Sequence, residues 1–295
     1  MENYSIKNLS QGKKSGLSFS FMIVAYIFIS FFGQPIVKAI FGAGSAFTAI
    51  CSTFSVLAMA LTIFLFAKLN QEKNLGFLHL KKCKSRYYVL AIGVSAGMFF
   101  GLGFINGVVA ELFSQMGLNV NGSNISLRTP LHLFVFSISF AVLPAIFEEC
   151  FFRGVVYGGL NGVSKICAIV SVSLCFAIYH GSVTQLVYQL IYGAVLCLLF
   201  ECSNSIIPCM IAHFLNNFTV ILIEYLDIFV NLYDPLIICI GLLILAVSVF
   251  FIVKEVIRKP KEETGEKIVE FWLPFGAFGS IVCLSLAILS LFAGV

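Results

Sequence analysis

The sequence predicts an all-α, polytopic membrane helix bundle with about eight or nine transmembrane helices. Of its 295 residues, 60% are hydrophobic and only 11% are charged. The mean hydropathy of +1.02 lies far above that of soluble globular domains. The apolar residues come in runs of about 20, the length that a helix needs to cross a bilayer. A helix satisfies all of its backbone hydrogen bonds within one segment, which a lipid-exposed span requires.

Nine apolar runs are interpreted as spans. They cover residues 17–37, 46–67, 87–110, 130–152, 165–182, 184–201, 205–229, 235–253 and 269–293. The first run is long and no small-residue cleavage site follows it, so we expect a retained span and not a signal peptide. No polar segment between the runs is large enough for a core of its own. The sequence therefore predicts a single membrane domain over residues 1–295.

The basic residues predict the topology. Sixteen of the 18 Lys and Arg fall in segments that share one side if the spans alternate, and only Lys38 and Arg128 fall opposite. By the positive-inside rule, we expect a multi-pass protein of the cell membrane with a cytoplasmic N-terminus. The abundance of Lys, Ile and Phe favours a bacterial membrane. The basic loop at residues 68–86 is suited to membrane lipid headgroups.

Nucleic acid is excluded as a partner. The net charge of +4 is spread over short loops and is not interleaved with polar residues that read bases. The sequence says nothing about the oligomeric state.

Two adjacent carboxylates and an arginine interrupt the fourth apolar run, in the stretch AIFEECFFRG from Ala145 to Gly154. An ionisable residue within a span is costly and is usually functional. Residues four apart share a helix face, so Glu149 and Arg153 are expected to pair. Glu148 then points about 100° away and is left without a counter-ion. A charge cluster at the end of the helix is the simpler alternative.

Further polar residues stand in the fifth and seventh runs. His180 follows Phe176 by one turn in the fifth, and His213 and Asn217 share one face of the seventh. Two histidines, an asparagine and a free glutamate on three helices are typical of a site built inside a helix bundle.

Taken in order, these motifs resemble the CAAX protease and bacteriocin-processing (CPBP, or Abi) family of intramembrane proteases. The motifs are Glu-Glu-x-x-x-Arg at Glu148, Glu149 and Arg153, Phe-x-x-x-His at Phe176 and His180, and His-x-x-x-Asn at His213 and Asn217. The resemblance covers about residues 130–225, which we expect to be the catalytic core. The flanking spans carry no resemblance.

The resemblance implies an intramembrane endopeptidase that cleaves a membrane-associated peptide or protein. In the family, the residue matching Glu148 activates a water with help from the one matching His180. The residues matching His213 and Asn217 stabilise the oxyanion. The chemistry is suitable, because hydrolysis needs a base beside water and donors aimed at the developing negative charge. We expect the pocket to be formed by spans four to seven and to open toward the cytoplasmic leaflet.

The cofactor is left open. Glu148, His180 and His213 are the ligand types of a catalytic His₂Glu zinc site. However, the chain has no His-Glu-x-x-His helix, and the family is described both as metal-dependent and as metal-independent. The ten cysteines include no Cys-x-x-Cys pair, so a cysteine zinc site is not expected.

Two non-protease classes compete with this interpretation. A non-catalytic scaffold or a bacteriocin self-immunity protein would use the same cavity for binding alone. A transporter would use Glu148 and Glu149 as a proton relay, but it predicts two symmetric halves that the sequence lacks.

The depth of the two histidines in the membrane is a further constraint on the site. For His180 to meet His213, the fifth helix must tilt strongly, start late or be short.

Overall fold

The computed structural model describes residues 9–70, 75–118, 120, 127–259 and 267–292. These ranges form helices and turns and contain no β-strand, which confirms the all-α prediction. Within these ranges, eight helical stretches are long and apolar enough to cross a bilayer, which agrees with the predicted eight or nine. They are Gln11–Phe41, Ser45–Leu69, Ser85–Gln115, Pro130–Leu160, Leu186–Ser203, Ile207–Leu226, Pro235–Ile257 and Val269–Phe292. The protein is a multi-pass membrane protein.

The α-helical segments are numbered along the chain. They are α1 (Gln11–Phe41), α2 (Ser45–Leu69), α3 (Ser85–Leu102), α4 (Phe104–Gln115), α5 (Pro130–Phe136), α6 (Leu143–Glu149), α7 (Lys165–Tyr179), α8 (Leu186–Ser203), α9 (Ile207–Leu226), α10 (Pro235–Ile257), α11 (Val269–Phe271) and α12 (Ala277–Phe292). Local sequence explains where several of them begin. The side chains of Ser10, Thr129, Ser164 and Asp234 accept backbone N–H groups of the first turns of α1, α5, α7 and α10.

Polar contacts tie the helix ends together at one side of the bundle, which we call the basic end. It is defined by the pairs Ser10–Glu270, Lys14–Asn70, Arg86–Glu255, Lys165–Glu201 and Lys259–Cys202. Because these residues lie at alternating ends of successive long helices, the helices alternate in direction. Of the basic residues assigned to this side, Lys7, Lys73 and Lys261 lie outside the described residues.

Arg153 departs from the assignment to a basic loop. It is fully buried inside the bundle. The reason is that the fourth membrane helix does not stop near residue 152, as expected, but runs on to Leu160. Leu160 lies twelve residues beyond Glu148, so the carboxylates sit about 18 Å inside the helix end. They do not lie at the end of the helix.

The fourth membrane helix is not regular. A π-helical segment, Ser137–Val142, separates α5 from α6, and a second, Cys150–Tyr157, follows α6 before a short 3₁₀ turn at Gly158–Leu160. Glu148 and Glu149 are the last two residues of α6. Single π turns inside helices are often found at functional sites. The carboxylates therefore lie between two such distortions.

Helix α7 is shorter than predicted. It has 15 residues, which corresponds to about 22 Å and falls short of a full hydrocarbon core of about 30 Å. The expected span over residues 165–182 thus ends at Tyr179, and His180 is its C-cap. Helix α8 returns from this turn to the basic end. Of the three arrangements expected to let His180 meet His213, the structure shows a short fifth helix.

Close packing of small residues joins α3 to α10. A side chain at Gly241 would meet the backbone nitrogen of Gly101 at 2.3 Å, and one at Gly97 would meet Leu245 at 2.7 Å. Glycine lets the two backbones approach, which is how membrane helices associate without a hydrophobic driving force between them. Helix α3 also packs against α9, and so supports the site described next.

Candidate active site

The polar residues predicted from the sequence meet between the fourth membrane helix, α7, α8 and α9. Glu149 and Arg153 are fully buried, and Glu148 and His213 are exposed by only 6% and 2%. Charged side chains at this depth need partners, because lipid and packed side chains solvate them poorly. The contacts of each group therefore indicate its role.

Glu149 contacts both other members of an ion-paired cluster, Arg153 and His213. Its Oε1 atom accepts a hydrogen bond from Nη1 of Arg153 at 2.9 Å, which confirms the pairing expected from their spacing. The same oxygen lies 2.8 Å from Nδ1 of His213 on α9. One carboxylate oxygen thus joins a residue of its own helix to a residue of a neighbouring helix.

Arg153 is held on two further sides. Its Nη2 atom donates to the backbone carbonyl of Gly193 on α8 at 3.2 Å. Its guanidinium lies 4.8 Å from the ring centre of Phe176 on α7, a cation–π contact. A Cβ atom at position 193 would come within 3.1 Å of Ser173, so glycine is what brings α8 close to α7 here. Arg153 thereby connects three helices around the site.

Glu148 has a different environment. Its Oε2 atom lies 3.8 Å from Nε2 of His213 and 4.0 Å from Nε2 of His180. Both separations are longer than a direct hydrogen bond, and Oε2 has no hydrogen-bond partner among the described residues. The Tyr179 hydroxyl also neighbours this carboxylate. Glu148 is therefore the carboxylate without an arginine or lysine partner, as the spacing predicted.

Hydrogen bonds at the two Nδ1 atoms orient both imidazoles. Nδ1 of His180 lies 2.8 Å from the carbonyl oxygen of Phe176, which can only accept, so His180 carries a proton there. Nδ1 of His213 likewise faces the arginine-paired carboxylate of Glu149. In the neutral imidazoles, the unprotonated nitrogen of each ring is then Nε2, the atom that lies near Oε2 of Glu148. Three hydrogen-bond acceptor atoms therefore lie close together. Such an arrangement is stabilised only by a hydrogen-bond donor such as water, by a proton or by a cation.

Asn217 lies one turn beyond His213, and its side chain bonds to the backbone of Phe140 and to the side chain of Asn216. Its Nδ2 atom donates to the carbonyl oxygen of Phe140 at 3.1 Å, within the first π-helical segment. The described contacts do not join Asn217 to Glu148 or to His180. Nδ2 carries two hydrogens, so one remains for another acceptor.

Several neighbours of the site were not among the residues predicted from the sequence. Tyr179 flanks Glu148, the carbonyl of Gly193 binds Arg153, and Asn216, adjacent to Asn217, accepts from the hydroxyl of Tyr188 at 2.6 Å. The position of Asn216 next to the His-x-x-x-Asn motif was the only signal available. A backbone carbonyl such as that of Gly193 has no sequence signature at all.

Comparison with known proteins supports the family resemblance. Residues 130–219 match the family model described as Rce1-like, type II CAAX prenyl endopeptidase Rce1-like. Residues 130–219 are thus similar to that family. The match confirms the resemblance to CPBP-family proteases and, at the level of the family, supports a CAAX-type intramembrane protease. No curated protein and no solved structure matches the chain.

The side chains of Glu148, His180 and His213 are of the types that form a His₂Glu zinc site. Metal-bound histidines usually donate their second ring nitrogen to a carbonyl or carboxylate, as His180 and His213 do here. Tetrahedral zinc places its ligand atoms about 3.3 Å apart, somewhat closer than the 3.8 and 4.0 Å separations around Glu148. Consistently, no group of three His, Cys, Asp or Glu in the described part of the chain has metal-site spacing.

Proposed function

We propose that this protein is an intramembrane endopeptidase that hydrolyses a peptide bond in a membrane-associated peptide or protein, in the manner of CAAX proteases. The proposal assigns the activation of water to Glu148 and His180, and the stabilisation of the oxyanion to His213 and Asn217. The observation that carries it is the convergence of Glu148 Oε2 with the two Nε2 atoms. A family match over the same residues supports it.

Glu148 is the proposed base. A carboxylate that lacks an arginine or lysine can bind the hydrogen of a water molecule placed between Oε2 and Nε2 of His180. The water oxygen attacks the substrate carbonyl carbon while its proton passes to Glu148. When the tetrahedral intermediate collapses, Glu148 returns that proton to the leaving nitrogen, and the C–N bond breaks. General acid–base catalysis of this kind contributes about 10² to 10⁴ in rate.

The proposed oxyanion donor is Nε2 of His213. Because Nδ1 already donates to Glu149, Nε2 can donate only when the ring is an imidazolium. The bond to Glu149 would hold the ring so that Nε2 faces the site. The second Nδ2 hydrogen of Asn217 is the other donor. Each such donor typically contributes about 3 kcal/mol to the transition state.

Glu149 and Arg153 act in this scheme as positioning residues. They hold His213 and, through Gly193 and Phe176, the helices α7 and α8 at fixed distances from Glu148. We further propose that residues 130–225 form the catalytic core of one membrane domain that extends over residues 1–295. We place the basic end and the N-terminus at the cytoplasmic face of a bacterial cell membrane.

A metal-dependent variant of the reaction uses the same three ligands. Glu148 Oε2 and the Nε2 atoms of His180 and His213 would hold the ion. Bound zinc supplies a Lewis acid and lowers the pKa of its water to about 7. Dialysis against 1,10-phenanthroline followed by zinc readdition distinguishes the two mechanisms. Direct glutamate catalysis predicts unchanged activity, whereas zinc dependence predicts loss and recovery.

The deciding experiment compares wild-type protein with Glu148→Gln in cells, using mass spectrometry of membrane-associated and secreted peptides. Gln keeps the shape and removes the base. We expect a cleaved peptide to disappear and its precursor to accumulate at equal protein levels. Glu111→Gln, on α4 and paired only with Gln115 in the described contacts, is the matched control. Identical peptide profiles, together with a phenotype in the null strain, would show a binding protein such as a scaffold or self-immunity protein.

A further inference from the structure

Helix α8 presents a polar face toward the proposed site that the catalytic scheme does not use. The ring of Tyr192 lies 6.0 Å from that of His213, and the carbonyl of the next residue, Gly193, binds Arg153. At 100° per residue, Gln189 falls between Tyr192 and Gly193 around the helix. Gln189 thus points toward the same region, between the sides of α8 that contact α9 and Arg153.

Two polar atoms on this face lack partners. The Tyr192 hydroxyl belongs to a side chain that is only 1% exposed, and neither it nor Oε1 of Gln189 has a hydrogen-bond partner among the described residues. By contrast, the hydroxyl of Tyr188 donates to Asn216 at 2.6 Å. Buried polar atoms without partners are costly, above all within a membrane. Such a pair indicates a ligand with complementary polar groups.

We propose that Tyr192 and Gln189 bind the main chain of the substrate beside the scissile bond. An extended peptide inside the bundle brings backbone C=O and N–H groups that have left water and need partners. The Tyr192 hydroxyl donates to a carbonyl, and Oε1 of Gln189 accepts from an N–H. Residues three apart on a helix lie side by side, which allows both contacts with one stretch of chain. This inference rests on the proposed function and adds the substrate-positioning residues.

The test uses the full chain in nanodiscs and a farnesylated peptide ending in Cys-Val-Ile-Met, chosen from the matched family's description. Tyr192→Phe and Gln189→Met each remove one polar group and keep the shape. We expect KM to rise about tenfold with kcat nearly unchanged, because the contacts form in both ground and transition states. Tyr188→Phe is the matched control and should keep the wild-type KM.

Thermal unfolding without peptide gives a readout that does not depend on cleavage. Tyr192→Phe and Gln189→Met should unfold at or above the wild-type temperature, since no bond within the protein is lost. Tyr188→Phe should unfold at a lower temperature because it leaves Asn216 without its donor. A lowered unfolding temperature for Tyr192→Phe would show that its hydroxyl bonds within the protein, for example to Glu149, and would overturn the inference.

Backbone-modified peptides identify the contact itself. Methylating the one amide that meets Gln189 should raise KM for the wild type but not further for Gln189→Met. If Glu148→Gln is inactive while both α8 variants keep the wild-type KM, this inference fails and the proposed function stands. If Glu148→Gln cleaves normally while Tyr192→Phe raises KM, the catalytic assignment fails and the inference stands. A wild type that neither cleaves nor binds any peptide of the series overturns both.

Discussion

Nδ1 of His213 is bound to Oε1 of Glu149 at 2.8 Å, and this contact determines which atom of His213 faces Glu148. With Nδ1 engaged, Nε2 is the only atom left for the site, and it lies 3.8 Å from Oε2 of Glu148. The two adjacent glutamates therefore act on opposite nitrogens of one ring. Glu149 orients the ring through Nδ1, and Glu148 lies beside the other nitrogen, Nε2.

This division predicts unequal losses of unfolding free energy for two neighbouring substitutions. Glu149→Gln leaves Arg153 without its carboxylate, and removing one partner of a buried ion pair typically costs about 3–5 kcal/mol. Glu148→Gln should cost less than about 1 kcal/mol, since Oε2 has no hydrogen bond among the described residues. Unfolding in detergent, followed by tryptophan fluorescence, measures both. Equal losses for the two variants would contradict the assigned roles.

Asn217→Ala should lower both stability and activity. The lost bond to the Phe140 carbonyl is worth about 1 kcal/mol of unfolding free energy. If Asn217 also donates to the oxyanion, kcat falls about 10²-fold with little change in KM. A normal kcat with a lowered unfolding temperature would restrict Asn217 to the structural bond. Thr219→Ala on the same helix, which removes only a local bond to the carbonyl of Leu215, is the control.

Gly193→Ala should separate α7 from α8. The new methyl group would lie 3.1 Å from Ser173 and 3.2 Å from Phe176, and overpacking of this kind typically costs about 1–3 kcal/mol. Movement of Gly193 also displaces the carbonyl that holds Arg153, so kcat should fall with stability. Gly76→Ala has no atom within 4 Å of its new methyl group and should behave as wild type. A stable, fully active Gly193→Ala would disprove this packing role.

His79 predicts a loss of stability in acid. It lies at the basic end, beyond the membrane spans, with φ of 51° and its ring 5.4 Å from that of Phe200. Burial, followed by the charge of Lys81, lowers the pKa of His79. The folded state thus favours the neutral ring, and its contribution is complete above the ordinary pKa of about 6.5. As pH falls below that value and through the lowered pKa, the contribution is lost.

The measurement is the unfolding temperature of wild type and His79→Asn between pH 8 and pH 5. Asn tolerates the positive φ and does not titrate, so the substitution removes the ionisable group with little backbone strain. The wild type should lose more stability than the variant over this range. Parallel curves would show that His79 is not the titrating group.

The membrane architecture was largely predictable because its cause is local. Each apolar run must satisfy its own backbone, so length and composition give the number of spans within one and the absence of strands in the described ranges. The end of the fourth membrane helix was not predictable. The sequence predicts that Arg153 lies near the end of the span. In the structure, Glu149, Gly193 and Phe176 contact Arg153 inside the bundle and compensate its charge.

The site was predictable in its residues but less so in its contacts. Periodicity gave the Glu149–Arg153 pair, since one helix supplies both partners. The bond from Asn217 to Phe140 depends on a carbonyl in a π-helical segment, and no sequence pattern predicts that segment. The same holds for Tyr192, whose environment depends on how α8 and α9 pack.

The two π-helical segments fix the direction in which the carboxylates point. A π turn contains about one residue more than an α turn, and each residue corresponds to about 100° of rotation. Glu148 and Glu149 lie on the α-helical turns between Ser137–Val142 and Cys150–Tyr157. A descendant of this sequence that lost one residue from the first segment would keep its hydrophobic length and every motif. Its glutamates would nevertheless be rotated relative to one end of the helix, away from the residues that pack around the site. A gap of one residue in an otherwise intact alignment would therefore mark a protein that has lost its site.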